Sequence, residues 1–442
     1  MNSTIDIITL GCSKNLVDSE LLIKQFEAAG FNVEHDSPDP KGKIVVINTC
    51  GFIGDAKEES IDTILNFAEA KKRGDIDKLY VMGCLSERYF SQLKTEISEV
   101  DKFFGKFNWK DILTDLKHEY RTDLQNERTL TTPNHYAYLK ISEGCNRLCS
   151  YCAIPKITGK YKSRTIESLV DETERLAAKG VKELQLIAQD LSYYGIDIYR
   201  KKSLAQLIKK LSEIDGIEWL RLHYAYPAGF PIDVLDEMAQ NPKICNYLDI
   251  ALQHISDPIL IAMRRKITKK QTYDLISEIR NIVPGIHIRT SLIAGYPNET
   301  EKDFKQLLDF VQEMRFERLG VFKYSHEEDT YSFKYQKDNI PKKIKNERAN
   351  IIMELQRQIS RENNEQKVGS ILKTIIDRKE GDYFVARTEY DSPEIDPEVL
   401  ITSNLNLKIG EFYKVKITEA DDYDLFGVVE PKLRNRKNMF AH

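Results

Sequence analysis

The chain has 442 residues, 41% of them hydrophobic and 30% charged, with a mean hydropathy of −0.45 and a formal net charge of −4. That length is too great for one core and predicts two to four domains. No apolar run approaches the ~18–20 residues of a membrane helix, MNSTIDIITLGC lacks the pattern of a secretory leader, and a pI near 6.2 argues against a general nucleic-acid binder.

The expected compartment is the cytoplasm, where seven cysteines point to metal binding or catalysis rather than disulfides. In chain order, IDIITL (5–10), KIVVINT (43–49) and KLYVMG (78–83) read as buried strands. Helical patterns follow them at 16–30, from about 55 to 73, and from near 86. A βαβαβ order predicts a doubly wound parallel sheet. Cys12, Cys50 and Cys84 then fall at three strand ends, on the edge of the sheet where ligands bind. Each also precedes a helix, whose positive N-terminal end favours thiolate. Cysteine is a common core residue too, but three in equivalent positions favour a shared site. Cys245, before a strand in PKICNYLDI, reads as core.

Residues 118–135, HEYRTDLQNERTLTTPNH, lack periodicity and read as a linker. Strands are expected at 136–142, 181–189, 217–226, 246–254, 286–295 and 318–325, with helices between them. Six βα units are fewer than the eight of a closed barrel, so an open, partial barrel is expected. A charged helix over 341–365 closes it, and short strands from 366 predict a small all-β module. The predicted division is 1–118, a linker over 119–135, the barrel over 136–365, the β-module over 366–432 and a basic tail over 433–442.

After the first barrel strand comes SEGCNRLCSYCAIP (142–155), with Cys145, Cys149 and Cys152 in the spacing CxxxCxxC. Three thiolates without a near fourth leave one metal position open, as a catalytic site requires. Zinc with a distant fourth ligand and an iron–sulfur cluster both suit such a donor set.

The spacing and its place in the barrel resemble the radical S-adenosylmethionine (SAM) superfamily. The resemblance implies a [4Fe–4S] cluster on Cys145, Cys149 and Cys152, whose open iron holds SAM. The upstream Cys12, Cys50 and Cys84 and the terminal β-module, similar to a TRAM domain, look like the methylthiotransferases over essentially the whole length. That resemblance implies a second [4Fe–4S] cluster on Cys12, Cys50 and Cys84, insertion of SCH₃ at a C–H bond, and an electron donor such as a flavodoxin or ferredoxin. SLIAGYPNE (291–299) is similar to the superfamily's adenine-contacting strand but has Ser291 where glycine is usual and an extra residue before Glu299. Gln189 and Asp190 end a strand and either face the site or cap a turn.

LGCSKNLVDSE (10–20), AQDLSYYG (188–195) and TEYDSPEIDP (388–397) resemble the branch that modifies an aspartate β-carbon of ribosomal protein S-twelve. The branch acting on an adenosine of transfer RNA has a glutamine-methionine-asparagine run where this chain has Ser13, Lys14 and Asn15. Residues 366–431 carry fourteen acids against eight bases, which suits a basic protein partner better than phosphates. Nucleic acid is therefore not the preferred substrate expected. The basic run KLRNRK (432–437) opposes that trend slightly.

Overall fold

The computed structural model describes residues 4–430; the basic tail and KLRNRK lie outside the described residues. The first sheet is built from β1 (Thr4–Thr9), β2 (Asn32–His35), β3 (Ile44–Thr49), β4 (Lys78–Gly83) and β5 (Lys102–Phe103), all parallel, in the order β2-β1-β3-β4-β5. Between them run α1 (Ser13–Ala28), α2 (Gly54–Lys72), α3 (Cys84–Glu96) and, after β5, α4 (Asp111–Asp115). The sheet is doubly wound because β1 and β3, the adjacent central strands, lead outward to opposite edges. One apolar layer is formed by Ile5, Ile7, Phe26 and Val46, and the other by Val45, Ile47, Ile64 and Leu79. The alternation of Val45, Val46 and Ile47 between the layers is the two-residue period of a strand buried on both faces. The two edge strands β2 and β5 are new relative to the sequence pattern, being too short and polar to register as apolar runs.

The second sheet starts with β6 (Tyr136–Lys140). A small antiparallel pair follows, β7 (Ser142–Glu143) with β8 (Lys162–Ser163), and brackets α5 (Ile154–Thr158); α6 (Ile166–Ala178) comes next. The other barrel strands are β9 (Glu183–Ile187), β10 (Trp219–Ala225), β11 (Ile244–Ile250), β12 (His287–Ala294) and β13 (Arg318–Lys323). They lie in sequence order from β6 to β13, every pair parallel, and the two end strands do not pair with each other. The result is an open, partial barrel whose apolar core lies between the strands and their helices. Cys245 is buried, as expected, but sits within β11 rather than before it, against Trp219, Tyr247 and Ile375. The helix Lys342–Glu365 covers β12 and β13.

The C-terminal module is a closed barrel in the order β14-β15-β16-β18-β17, from β14 (Ile371–Glu380), β15 (Tyr383–Thr388), β16 (Val399–Ile401), β17 (Phe412–Ala420) and β18 (Leu425–Val429). Its β15–β16 connection lies beneath the large barrel, against the amino-terminal ends of the strands. There Glu183 accepts from Arg221 at 2.8 Å and Arg387 at 2.8 Å, and Arg387 also donates to Asp377 at 2.6 Å. Arg318 donates to Asp391 at 2.5 Å, Tyr247 to Asp396 at 2.7 Å, and Tyr136 and Tyr138 to Glu394 at 2.9 and 3.2 Å. These contacts revise the charge argument. Asp377, Asp391, Glu394 and Asp396 belong to that acidic excess yet point inward: Asp391 pairs with Arg318 of the large barrel, Asp377 with the module's own Arg387, and Glu394 and Asp396 accept from tyrosine hydroxyls. Composition counts charges without saying which way they point.

Asp391 tests this seam. Burial alone would raise its carboxyl, but Arg318, Lys367 and His287 outweigh burial and hold it well below the usual carboxylate range. A depressed carboxylate pKa contributes stability in full above the ordinary value near 4, and that contribution is lost as pH falls through the folded value. Asp391→Asn should therefore lower stability at pH 7 by about 3 kcal/mol. In urea titrations the deficit relative to the unaltered protein should persist down to about pH 4 and shrink only in stronger acid.

Candidate active site

Three loops meet at the carboxyl edge of the first sheet. Cys12 is the residue before α1, and its carbonyl accepts from the Asn15 and Leu16 amides at 2.9 and 3.1 Å. Cys50 follows β3, where Ser60 Oγ accepts from its amide and donates to its carbonyl, both at 3.0 Å. Cys84 opens α3. Asn15 ties them together: its Nδ2 donates to the Leu10 and Thr49 carbonyls at 2.9 and 3.1 Å, and the Cys84 thiol lies 3.7 Å from its Oδ1. Gly11 is required at this crossing. Its φ is +94°, and a Cβ there would lie 2.6 Å from Cys50 Cβ and 2.8 Å from Cys50 Sγ.

The second triplet occupies the loop between β7 and α5. The Cys145 amide donates to Gly159 O at 3.2 Å, and the Cys152 amide to Cys149 O at 3.2 Å. Two donors aim at the sulfurs: the Arg147 amide at Cys145 Sγ (3.4 Å) and Arg265 Nη1 at Cys149 Sγ (3.3 Å). Arg265 is 2% exposed, and its guanidinium lies 4.1 Å from the Tyr226 ring centroid, with Arg147 at 4.0 Å from the same ring. Asp190 accepts from Arg147 Nε at 2.7 Å and from the Ser192 amide at 3.0 Å, so it both caps a turn and steadies the cysteine loop. Gln189, beside it, is half-buried. At the end of β12, Glu299 accepts from the Gly295 and Tyr296 amides and pairs with Arg348. It closes the Gly-Tyr-Pro turn from within.

The two triplets adjoin each other. Cys84 packs with Ala153 and Ile157 of the loop and helix that follow Cys152. Beside this contact, Asp18 of α1 accepts from Lys106 at 2.8 Å and from Lys140 of β6, and Lys140 also pairs with Glu143. Burial would raise the Asp18 carboxyl, but the two lysines outweigh it and hold it low.

Cys50 and Cys84 do not follow the helix-end expectation. Burial pushes Cys50 up and Cys84 to about 12; Cys12 raises both further, and Lys106 opposes the rise at Cys84. Burial likewise lifts Cys145 to about 11 and raises Cys152, with Cys149 repelling both. Desolvation therefore outweighs the helix termini, and each triplet needs a cationic group to hold thiolates. Among the described residues, no three His, Cys, Asp or Glu side chains gather on one metal-ion position. A four-iron cluster places its thiolates on separate irons, so two groups of three sulfurs, with Cys50 and Cys84 buried and the other four half-buried, fit that group. The contacts aimed at the sulfurs come from an amide, a guanidinium, a phenol and Asn15, which are donors or weak partners rather than a fourth thiolate or imidazole.

An open parallel barrel with a three-cysteine loop after its first strand defines a radical SAM enzyme, and residues 139–311 match the Radical SAM superfamily. Residues 4–105 match Uncharacterized protein family UPF0004, and residues 368–429 match the TRAM domain. The chain is 58% identical over 426 residues to the ribosomal protein uS12 methylthiotransferase RimO of Bacteroides thetaiotaomicron, covering 96% of this chain and 98% of the relative. To the protein of the same name from Porphyromonas gingivalis ATCC 33277 it is 58% identical, with 96% and 98% covered. Among solved structures, the radical SAM methyltransferase TsrM of Kitasatospora setae aligns with a TM-score of 0.55 at 15% identity, covering 87% of this chain and 81% of that one. That likeness concerns the fold alone. The chain belongs to the RimO family of radical SAM methylthiotransferases, whose cofactors include an iron–sulfur cluster and SAM.

The spacing of Cys145, Cys149 and Cys152 is visible in the sequence. Arg265, Tyr226, Lys106 and Lys140 are not, since each is brought to the site from a distant element without a local motif.

Gly11→Ala should force Cys50 away from Cys12 and lower the iron retained after anaerobic reconstitution. Gly30→Ala is the control, because Gly30 has a similar φ of +90° but open space around its Cβ position; it should leave the iron content unchanged.

Proposed function

We propose that this protein inserts SCH₃ at the β-carbon of an aspartate of ribosomal protein uS12, using two [4Fe–4S] clusters and two molecules of SAM. The observation that carries this reading is the pair of adjoining cysteine triplets in a chain 58% identical to uS12 methylthiotransferases over nearly its full length. The radical cluster is assigned to Cys145, Cys149 and Cys152, and the auxiliary one to Cys12, Cys50 and Cys84. Cys145, Cys149 and Cys152 would hold the cluster that supplies one electron for cleavage of the SAM sulfonium bond into methionine and a hydrogen-abstracting carbon radical, and Cys12, Cys50 and Cys84 would hold the one that supplies the sulfur. The functional units are 1–118, 136–365 and 366–432, with the 119–135 linker between the first two. An electron carrier such as a flavodoxin or ferredoxin serves it, in the cytoplasm. Among the described residues no helix is long and apolar enough to cross a membrane.

The chain's own residues supply position and shielding. Arg265 and the Arg147 amide donate to Cys149 and Cys145, which stabilises thiolate over thiol. Tyr226 fixes both guanidinium groups by presenting its two faces to them. The Cys84–Ala153–Ile157 contact keeps water from the seam between the triplets. A radical route suits the target, since an unactivated C–H bond offers no proton to a side-chain base. A transfer-RNA adenosine is the alternative substrate, and the relatives' substrate, ribosomal protein uS12, argues against it.

Anaerobic reconstitution should give about eight irons per chain, the sum of two four-iron clusters. Cys149→Ala should abolish 5′-deoxyadenosine formation. Cys50→Ala should retain it yet transfer no methylthio group to uS12, read by mass spectrometry of the protein with transfer RNA assayed in parallel. Product on RNA alone, or normal methylthiolation by Cys50→Ala, refutes the assignment.

A further inference from the structure

We propose that Lys14 receives the carboxylate of the side chain to be modified and so selects an acidic substrate. The inference rests on the reading that the target is an aspartate of uS12.

Lys14 lies in the first turn of α1, two residues after Cys12. It is 6% exposed, and its ammonium sits 3.4 Å from the centroid of the Tyr224 ring. Among the described residues it has no carboxylate within 4.0 Å and no hydrogen-bond acceptor, whereas four acids of the same region are engaged elsewhere. Asp18 lies between Lys106 and Lys140. Asp190 holds Arg147. Asp249 accepts from Arg289 at 3.4 Å and from the Tyr224 amide at 3.4 Å. Glu394 accepts the hydroxyls of Tyr136 and Tyr138. A largely buried lysine without a counter-ion carries a partly desolvated charge, which is costly. A ring face offsets part of that cost and leaves N–H groups free to donate.

The platform beneath Lys14 is held deliberately. Tyr224, next to last in β10, has a φ of +65°, a left-handed conformation rare for an aromatic residue. Such strain persists where surrounding structure over-determines it and clusters at functional sites. Tyr224 is two residues from Tyr226, whose ring carries Arg265, the donor to Cys149. Lys14 and Tyr224 thus connect the Cys12 side of the seam to the Cys149 side. A carboxylate salt-bridged to Lys14 is held at the mouth of the barrel, beside both triplets. An amide or a nucleobase edge offers no charge to repay the buried ammonium.

The test measures equilibrium binding of uS12 to reconstituted holoenzyme without reductant, with the target aspartate either intact or changed to asparagine. Unaltered holoenzyme should bind the aspartate form about tenfold to a hundredfold more tightly, the worth of one charge-assisted bond. Lys14→Gln should erase that preference while binding the asparagine form as before, and Lys14→Arg should restore part of it. Equal binding of both forms by unaltered holoenzyme overturns the proposal, and so does a preserved preference in Lys14→Gln. A changed electron paramagnetic resonance signal with an intact preference also overturns it, by assigning Lys14 to the auxiliary cluster. Should Lys14→Gln fail to fold, the aspartate–asparagine comparison on the unaltered protein and the Lys14→Arg variant decide. Holoenzyme that methylthiolates uS12 yet ignores the exchange removes the Lys14 assignment alone. Holoenzyme that does not modify uS12 removes the proposed function and this inference together.

Discussion

The buried carboxylate of Asp18 joins the two halves of the site. It belongs to α1 of the first sheet, yet its partners are Lys106, beyond β5, and Lys140, at the end of the first barrel strand. An ion pair with so little water around it breaks only at high cost, because either partner left alone is an uncompensated charge. The clamp therefore holds the carboxyl edge of a doubly wound sheet against the carboxyl end of an open barrel. Both kinds of sheet place ligands at that end. Turning the two edges toward each other puts Cys84 on Ala153 and Ile157 and makes two separate thiol groups into one site.

The same enclosure makes the thiols poor thiolates by themselves. Cys84 and Cys145 are pushed to about 12 and 11 by burial, with Cys12 and Cys50 adding to it at the first and Asp190 and Cys149 at the second. A site of this kind is finished by a cationic group, since only that repays the desolvation of several sulfur anions. The second ring of residues is arranged accordingly. Arg265 sits beneath Cys149, Lys106 lies near Cys84, and aromatic rings steady the cations. Polar neighbours of this sort tune a metal site.

The C-terminal barrel carries its acids inward. Asp377, Asp391, Glu394 and Asp396 meet arginines and phenols at the amino-terminal ends of the barrel strands. Opposite ends of one barrel thus serve opposite purposes: chemistry at the carboxyl end, and a polar seal at the other. The net charge of the module reflects that seal as much as any partner, so its composition alone is weak ground for choosing protein over RNA.

Much was legible in the sequence because it is local. Apolar runs of strand length mark β1, β3, β4 and the barrel strands. CxxxCxxC marks a metal-binding loop, since three thiolates within eight residues can reach one site whatever else the chain does; its likeness to a known family, not the spacing alone, chose iron–sulfur over zinc. Strand-end positions brought Cys12, Cys50 and Cys84 together on paper, through the rule that parallel strands share an edge. What the local pattern could not carry was orientation. Whether thiols at helix ends become acidic or basic depends on how deeply they are buried. Whether an acid faces solvent or an arginine depends on docking between domains. Lys14 is a polar residue in a first helical turn until Tyr224, some two hundred positions away, arrives beneath it. Short-range pattern determined the elements and the sulfur chemistry; only tertiary packing decided the charge environment, because desolvation and ion pairing act between residues that the chain itself keeps far apart.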